Sequence, residues 1–233
     1  MATKRPSVVV TGANRGIGLE LVSQYLANDW QVHGCCRRPE LATQLAGLAS
    51  NSSLSIHQLD VSNPDSVKNL ALALSEQSID LLINNAGIYG GERQSFGDID
   101  YAQWTRVLEV NTLGPYRVST ALADQVGNSE QRMMVNISSA MGSIERHTSG
   151  GHYIYRSSKA ALNMVTVNLA HDLRSRGITV LSVHPGWVRT DMGGSSADIS
   201  TQTSAAGLRQ LISNTTIEDS GCFFSWDGSA LPW

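Results

Sequence analysis

At 233 residues, 41% hydrophobic and 16% charged, the chain has the make-up of an ordinary globular protein and the length of one large α/β domain, able to bury roughly 70% of its unfolded surface. A net charge of −3 gives no electrostatic pull toward nucleic acid or an anionic membrane. The opening MATKRPSVVV lacks a signal peptide's apolar stretch, no later run has the length of a membrane span, and three cysteines without CxxC spacing build neither a disulfide framework nor a zinc site. A cytoplasmic protein without a metal is expected.

The first predicted element is SVVVT (7–11), apolar at successive positions as in a parallel strand covered on both faces. It runs into TGANRGIGLEL, where Gly12, Gly16 and Gly18 precede an apolar helical pattern over 17–27. Glycines at such a junction let the backbone turn sharply and let a pyrophosphate approach, its charge resting on the helix N-terminus. The same triplet also suits a tight turn that binds nothing, so it is read with its neighbours.

QVHGCC (31–36) is the second strand, and the residues at its carboxyl end bear on dinucleotide choice. An NAD site usually places a carboxylate there for the ribose 2′-hydroxyl, whereas this chain reads Cys35-Cys36-Arg37-Arg38. A guanidinium fork binds phosphate through paired charge-assisted hydrogen bonds, so Arg37 predicts NADPH/NADP, with Arg15 approaching the same phosphate from the glycine loop. The other reading of Arg37 and Arg38 is a solvated basic pair leading a helix.

Helical patterns over 38–49, 64–76, 100–126, 155–176 and 200–213 then alternate with strands LSIHQLD (54–60), DLLINN (80–85), MMVNIS (133–138), TVLSVH (179–184) and CFFSW (222–226). This order predicts a single Rossmann-type domain over 1–233, a doubly wound parallel sheet of about seven strands with helices on both faces. Ligands of such sheets bind outside the carboxyl ends of the strands. The small and polar residues of 191–200 predict a mobile substrate loop.

HYIYRSSKAAL (152–162) holds two tyrosines and one lysine. A helix starting near 155 puts Tyr155 and Lys159 on one face, one turn apart, while Tyr153 has Ser157 at that spacing. Moving a phenol from about 10 to about 7 takes roughly 4 kcal/mol, and one ammonium about 4 Å away at an effective dielectric near 20 supplies about that much. The pair thus suits proton transfer near neutral pH. Ser138 or Ser139, at the end of the 133–138 strand, offers a hydroxyl for a substrate oxygen. His147, His152 and His184 read as loop or packing residues, and Tyr89 as a pocket wall.

The motifs TGANRGIG, NNAG, ISS, YRSSK and PGWVRT, in this order, resemble the short-chain dehydrogenase/reductase family, and ISSAMGSI, GGHYIYRSSKAALNM and DGSALPW are most similar to its C-factor and sniffer-type carbonyl reductase branch. The resemblance implies Tyr155 as general acid/base, Lys159 as the residue that lowers its pKa and holds the nicotinamide ribose, Ser139 as the carbonyl-orienting hydroxyl, and Asn111 as support for a water in the proton relay. It implies a cofactor loop of Gly12, Asn14, Arg15, Gly16, Ile17 and Gly18, an adenine-side pair Asp60 and Val61, and an adenosine-ribose segment of Asn84, Ala86 and Gly87. Pro185, Gly186, Val188 and Thr190 fall at its nicotinamide end. Met141, Tyr153 and Trp187 are expected as substrate walls.

Ser139 stands sixteen residues before Tyr155, longer than the family's commoner spacing, so 144–152 is expected to bulge at the rim. The implied activity is NADPH-dependent reduction of a small-molecule ketone or aldehyde. A protein that binds NADP(H) as a sensor or signal is the rival. Helices over 113–126 and after Tyr155 are where the family pairs its subunits, which implies a homodimer or homotetramer.

Overall fold

The computed structural model describes residues 5–49 and 53–233. In chain order it forms β1 (Ser7–Thr11), α1 (Gly16–Ala27), β2 (Gln31–Cys36), α2 (Thr43–Gly47), β3 (Leu54–Gln58), α3 (Pro64–Ala73) and β4 (Leu81–Asn84). A short hairpin of β5 (Gln94–Ser95) and β6 (Asp98–Ile99) precedes α4 (Tyr101–Leu108), α5 (Gly114–Ala121) and α6 (Ala123–Gly127). The chain closes with β7 (Met133–Ile137), α7 (Tyr153–Leu173), β8 (Thr179–His184), α8 (Thr201–Asn214) and β9 (Phe223–Ser225).

Seven strands form one parallel sheet in the order β3-β2-β1-β4-β7-β8-β9, the expected doubly wound arrangement. Successive apolar residues in the strands serve two cores. Val8 and Val10 of β1 pack with Leu21 and Val22 of α1 and Leu208 of α8, while Val9 faces Val67 and Leu70 of α3 and Val118 of α5. At about 25 cal/mol per Å² of apolar surface, such two-sided burial is the main stabilising term of the fold.

Three helical patterns differ from the expectation. The 38–49 segment splits into a 3-10 turn at Pro39–Leu41 and the short α2. The 100–126 helix is interrupted by a π turn at Glu109–Leu113 and again at Leu122, which sets α6 apart from α5. Helix α7 starts two residues before Tyr155, because His152 ahead of it adopts left-handed backbone with φ 54° and breaks the chain direction there.

Among the described residues no helix is long and apolar enough to cross a membrane.

Candidate active site

A cleft of about 730 Å³ opens at the carboxyl ends of the strands, where the order of winding reverses between β1 and β4. Gly12 leaves β1 with φ 66°, and a Cβ there would stand 2.9 Å from Ala86 Cα, so only glycine lets the two loops meet. Asn14, Arg15, Gly16 and Ile17 line the cleft along the first turn of α1. Gly18 does not; it packs against the carbonyl of Gly12 and the side chain of Asn85 and seats the helix on the loop.

The ribose segment departs from the expected assignment. Asn84, the last residue of β4, is buried and donates to Asn136 Oδ1 at 2.9 Å and Ser119 Oγ at 3.0 Å, so it faces the interior. Asn85 lines the cleft instead and ties the loops together, its Nδ2 donating to Thr11 O at 2.9 Å and Gly12 O at 3.2 Å. The inward-facing strand runs one residue further than the motif alone suggests. Ala86 and Gly87 line the cleft.

At the far end Arg37 follows β2 at the cleft wall, and Asp60 and Val61 follow β3. Asp60 is locked by Ser62, whose N and Oγ donate to its Oδ1 at 2.9 and 2.6 Å. Arg15 is engaged in an ion pair with Asp191 at 2.6 Å, both side chains being largely exposed. This pair spans the cleft from the glycine loop to the segment after Thr190.

Pro185 and Thr190 line the opposite end. Gly186 and Val188 shape the loop from behind: Gly186, at φ 87°, backs onto Ile199 and Trp226, and Val188 is buried and bridged to Ile199. The 191–200 loop is tied at its base, with Arg189 N donating to Ile199 O at 2.9 Å and Ile199 N to Trp187 O at 3.1 Å.

Tyr155 and Lys159 project from the first turns of α7 into the cleft. Ser139 lies just past β7, near enough to the Tyr155 phenol for its hydroxyl to lower that group's pKa, and its Oγ accepts from Met141 N at 3.1 Å. Ser138 points inward, donating to Asn163 Oδ1 at 2.7 Å, which leaves Ser139 as the hydroxyl beside the phenol. Asn111 sits in the π turn, fully buried; its Nδ2 donates to Ile88 O at 2.8 Å and Ser158 Oγ at 3.1 Å, and its Oδ1 accepts from Ile88 N at 2.9 Å.

The electrostatics reverse the simple charge arithmetic. Burial pushes the Tyr155 phenol up to about 12, against a smaller lowering by the Ser139 hydrogen bond. Burial also holds Lys159 down to about 8. Lys159 Nζ lies 5.7 Å from the centre of the Tyr155 ring and donates to Ile137 O at 2.8 Å, so its charge is spent on a carbonyl while desolvation dominates both groups.

Met141, Tyr153 and Trp187 stand outside the cleft lining. Trp187 donates from Nε1 to Gly193 O at 2.9 Å, Met141 O binds His147 Nε2 at 2.6 Å, and Tyr153 is half-exposed. Tyr89 is the aromatic set against the Tyr155 phenol, its ring centre 5.0 Å from that of Tyr155 and its hydroxyl 2.6 Å from His152 Nδ1. The 144–152 segment wraps this rim, its tip held by Arg156 Nη1 donating to Ser149 O at 2.7 Å and Gly150 O at 3.1 Å.

Comparison with known proteins gives a consistent set of matches. The family model described as short chain dehydrogenase matches residues 6–200. The C-signal of Myxococcus xanthus is 42% identical over 155 residues, covering 66% of this chain and 93% of that protein. The structure is similar to an NADPH-bound carbonyl reductase from chicken fatty liver, with TM-score 0.92, 37% identity, and 99% of this chain and 100% of that one covered. It is also similar to the carbonyl reductase Sniffer of D. melanogaster, with TM-score 0.91, 35% identity and coverage of 99% and 100%.

Proposed function

The chain belongs to the short chain dehydrogenase family, and from that premise we propose that it is an NADPH-dependent carbonyl reductase that converts a ketone or aldehyde to an alcohol. The observation that carries this reading is Tyr155 and Lys159 together at the wall of a cleft, with the Ser139 hydroxyl near the phenol. The cleft fits a dinucleotide: a glycine loop whose Cβ positions are closed, a helix N-terminus beside it, and Arg37 where an acid would repel a 2′-phosphate.

When bound, NADPH supplies the hydride to the carbonyl carbon. The chain's own residues manage the oxygen and the proton. Ser139 donates a hydrogen bond to the substrate oxygen as negative charge develops there, a contribution of about 10²–10³ in rate for such donors. Tyr155, protonated because burial holds its phenol near 12, gives its proton to that oxygen. Lys159, protonated below about 8, supplies the positive charge that favours the resulting phenolate. Asn111 ties the loop at Ile88 to α7 through Ser158 and so supports the relay from behind.

In this reading 191–200 is the mobile edge of the site, and the protein acts in the cytoplasm, where NADPH and its three free cysteines stay reduced. It assembles as a homodimer or homotetramer through α5 and α7, whose Tyr116 and Met164 are exposed apolar side chains. Light scattering at micromolar concentration tests the assembly.

A panel of aldehydes and ketones with NADPH or NADH tests the activity, with Tyr155→Phe as control. The similarity to C-signal favours one rival, a protein that binds NADP(H) as a signal. Tight NADPH binding without oxidation by any carbonyl, together with unchanged biological activity of Tyr155→Phe, decides for the rival.

A further inference from the structure

Helix α7 carries Tyr155 and Lys159, yet its first turn has no side-chain cap of its own. His152 precedes it in left-handed backbone and directs its imidazole to Tyr89. The N–H groups of a first helical turn have no partner within the helix, and a buried one must find a partner elsewhere. For Tyr155 that partner is the side chain of Gln94, whose Oε1 accepts from Tyr155 N at 2.9 Å.

The other end of the same amide faces the rim. Gln94 Nε2 donates to Tyr89 O at 3.1 Å and to Gly91 O at 2.7 Å, so the amide's two donors and its oxygen are all engaged. Gln94 is 2% exposed and does not line the cleft. Between its two carbonyl partners, Gly90 lies directly on α7: at φ 96°, a Cβ there would stand 2.9 Å from Ile154 Cγ2. The 89–91 segment, the first turn of α7 and the paired rings of Tyr89 and Tyr155 are thus held at one height by one buried amide.

We propose that Gln94 is a positioning residue for the reaction, capping the catalytic helix from the β5 hairpin and fixing the Tyr89 segment against the reacting tyrosine. The proposal deepens the reading above and rests on Tyr155 as proton donor. Glutamine alone among similar side chains meets the demand. Asparagine is one methylene short, glutamate keeps the acceptor but turns a carboxylate toward two carbonyls, and leucine leaves an N–H and two carbonyls buried without partners.

The test compares Gln94→Leu and Gln94→Glu with the wild-type chain, using an aromatic aldehyde and NADPH. Gln94→Leu is expected to lower kcat roughly tenfold or more through misplacement of the phenol, with NADPH affinity kept within about twofold. Deuterium exchange at the first turn of α7 should quicken in the same variant. Gln94→Glu, which keeps the Tyr155 acceptor, should retain most of kcat and raise KM as the 89–91 carbonyls are displaced.

Wild-type exchange in Gln94→Leu, or a loss of kcat matched by an equal loss of NADPH affinity, overturns the proposal. If Gln94→Leu does not fold, Gln94→Glu decides: a raised KM supports the anchor and an unchanged KM overturns it. Tyr155→Phe in the same assay judges the proton-donor reading by itself, since retained turnover there sinks that reading while exchange in Gln94→Leu still judges the anchor.

Discussion

Gly142 lies against the backbone of Lys159: a Cβ at Gly142 would stand 2.8 Å from both the carbonyl carbon and the Cβ of Lys159. Nothing separates the 3-10 turn Ala140–Gly142, which follows Ser139, from the helix that bears Tyr155. That close approach sets the Ser139 hydroxyl near the Tyr155 phenol. Gly142→Ala is therefore expected to cost about 1–3 kcal/mol of stability by overpacking and to lower kcat by roughly ten- to a hundredfold by parting Ser139 from Tyr155. Denaturant titration beside steady-state kinetics checks both.

The two tyrosines at the start of α7 should differ sharply. Tyr155 is buried and lines the cleft, whereas Tyr153 is half-exposed and stands outside the cleft lining. Tyr155→Phe is expected to reduce kcat/KM by about 10²–10⁴, the range of a general acid, and Tyr153→Phe to retain most turnover. Similar losses in both would remove the phenol from the mechanism.

Cofactor preference should follow Arg37. Arg37→Asp replaces a guanidinium fork at the cleft wall with a charge that repels phosphate, so the Kd for NADPH should rise by roughly tenfold or more while that for NADH changes little. Fluorescence titration with both nucleotides measures the ratio. An equal loss for the two assigns the 2′-phosphate to another residue.

Lys159 makes stability depend on pH with a definite sign. Its folded pKa, about 8, lies below the ordinary value of 10.5, so between these pH values the unfolded chain binds more protons and stability rises with pH. The cost of burying the charge is fully present below pH 8 and is relieved as pH approaches 10.5. Relative to Lys159→Met, the wild-type chain should gain about 2 kcal/mol between pH 8 and 10, read by urea unfolding. A flat difference would mean that the ammonium is solvated in the folded protein.

The sheet is readable from the sequence because its strands are short apolar runs with glycine or polar residues at their ends; SVVVT and TVLSVH become β1 and β8 to the residue. The chemical groups are readable as well, since TGANRGIG, YRSSK and PGWVRT need particular side chains at particular spacings. Distances are not. Helical spacing puts Lys159 beside Tyr155 but cannot show that its ammonium is bonded to Ile137 O, nor that burial, not charge, sets the direction of both pKa shifts. NNAG does not show which asparagine the last residue of β4 turns inward. Gln94, a polar residue in a loop-like stretch, acquires its partners only when the chain brings Tyr155 to it.

The π turn at Glu109–Leu113 holds one residue more than an α-helical turn would, and VLEVNTLG bears no mark of it. Its effect is one of phase. Each helical residue advances the chain by about 100°, so removing one residue here would rotate everything beyond it by that angle relative to α4. Asn111 could not then meet Ile88 and Ser158 together while Val118 of α5 kept its place in the core. A one-residue deletion in 109–113 would leave composition and length almost untouched, yet force a choice between a packed helix and a supported site. Tolerance to insertion and deletion should therefore be lowest in this stretch, where only Asn111 and Thr112 are buried.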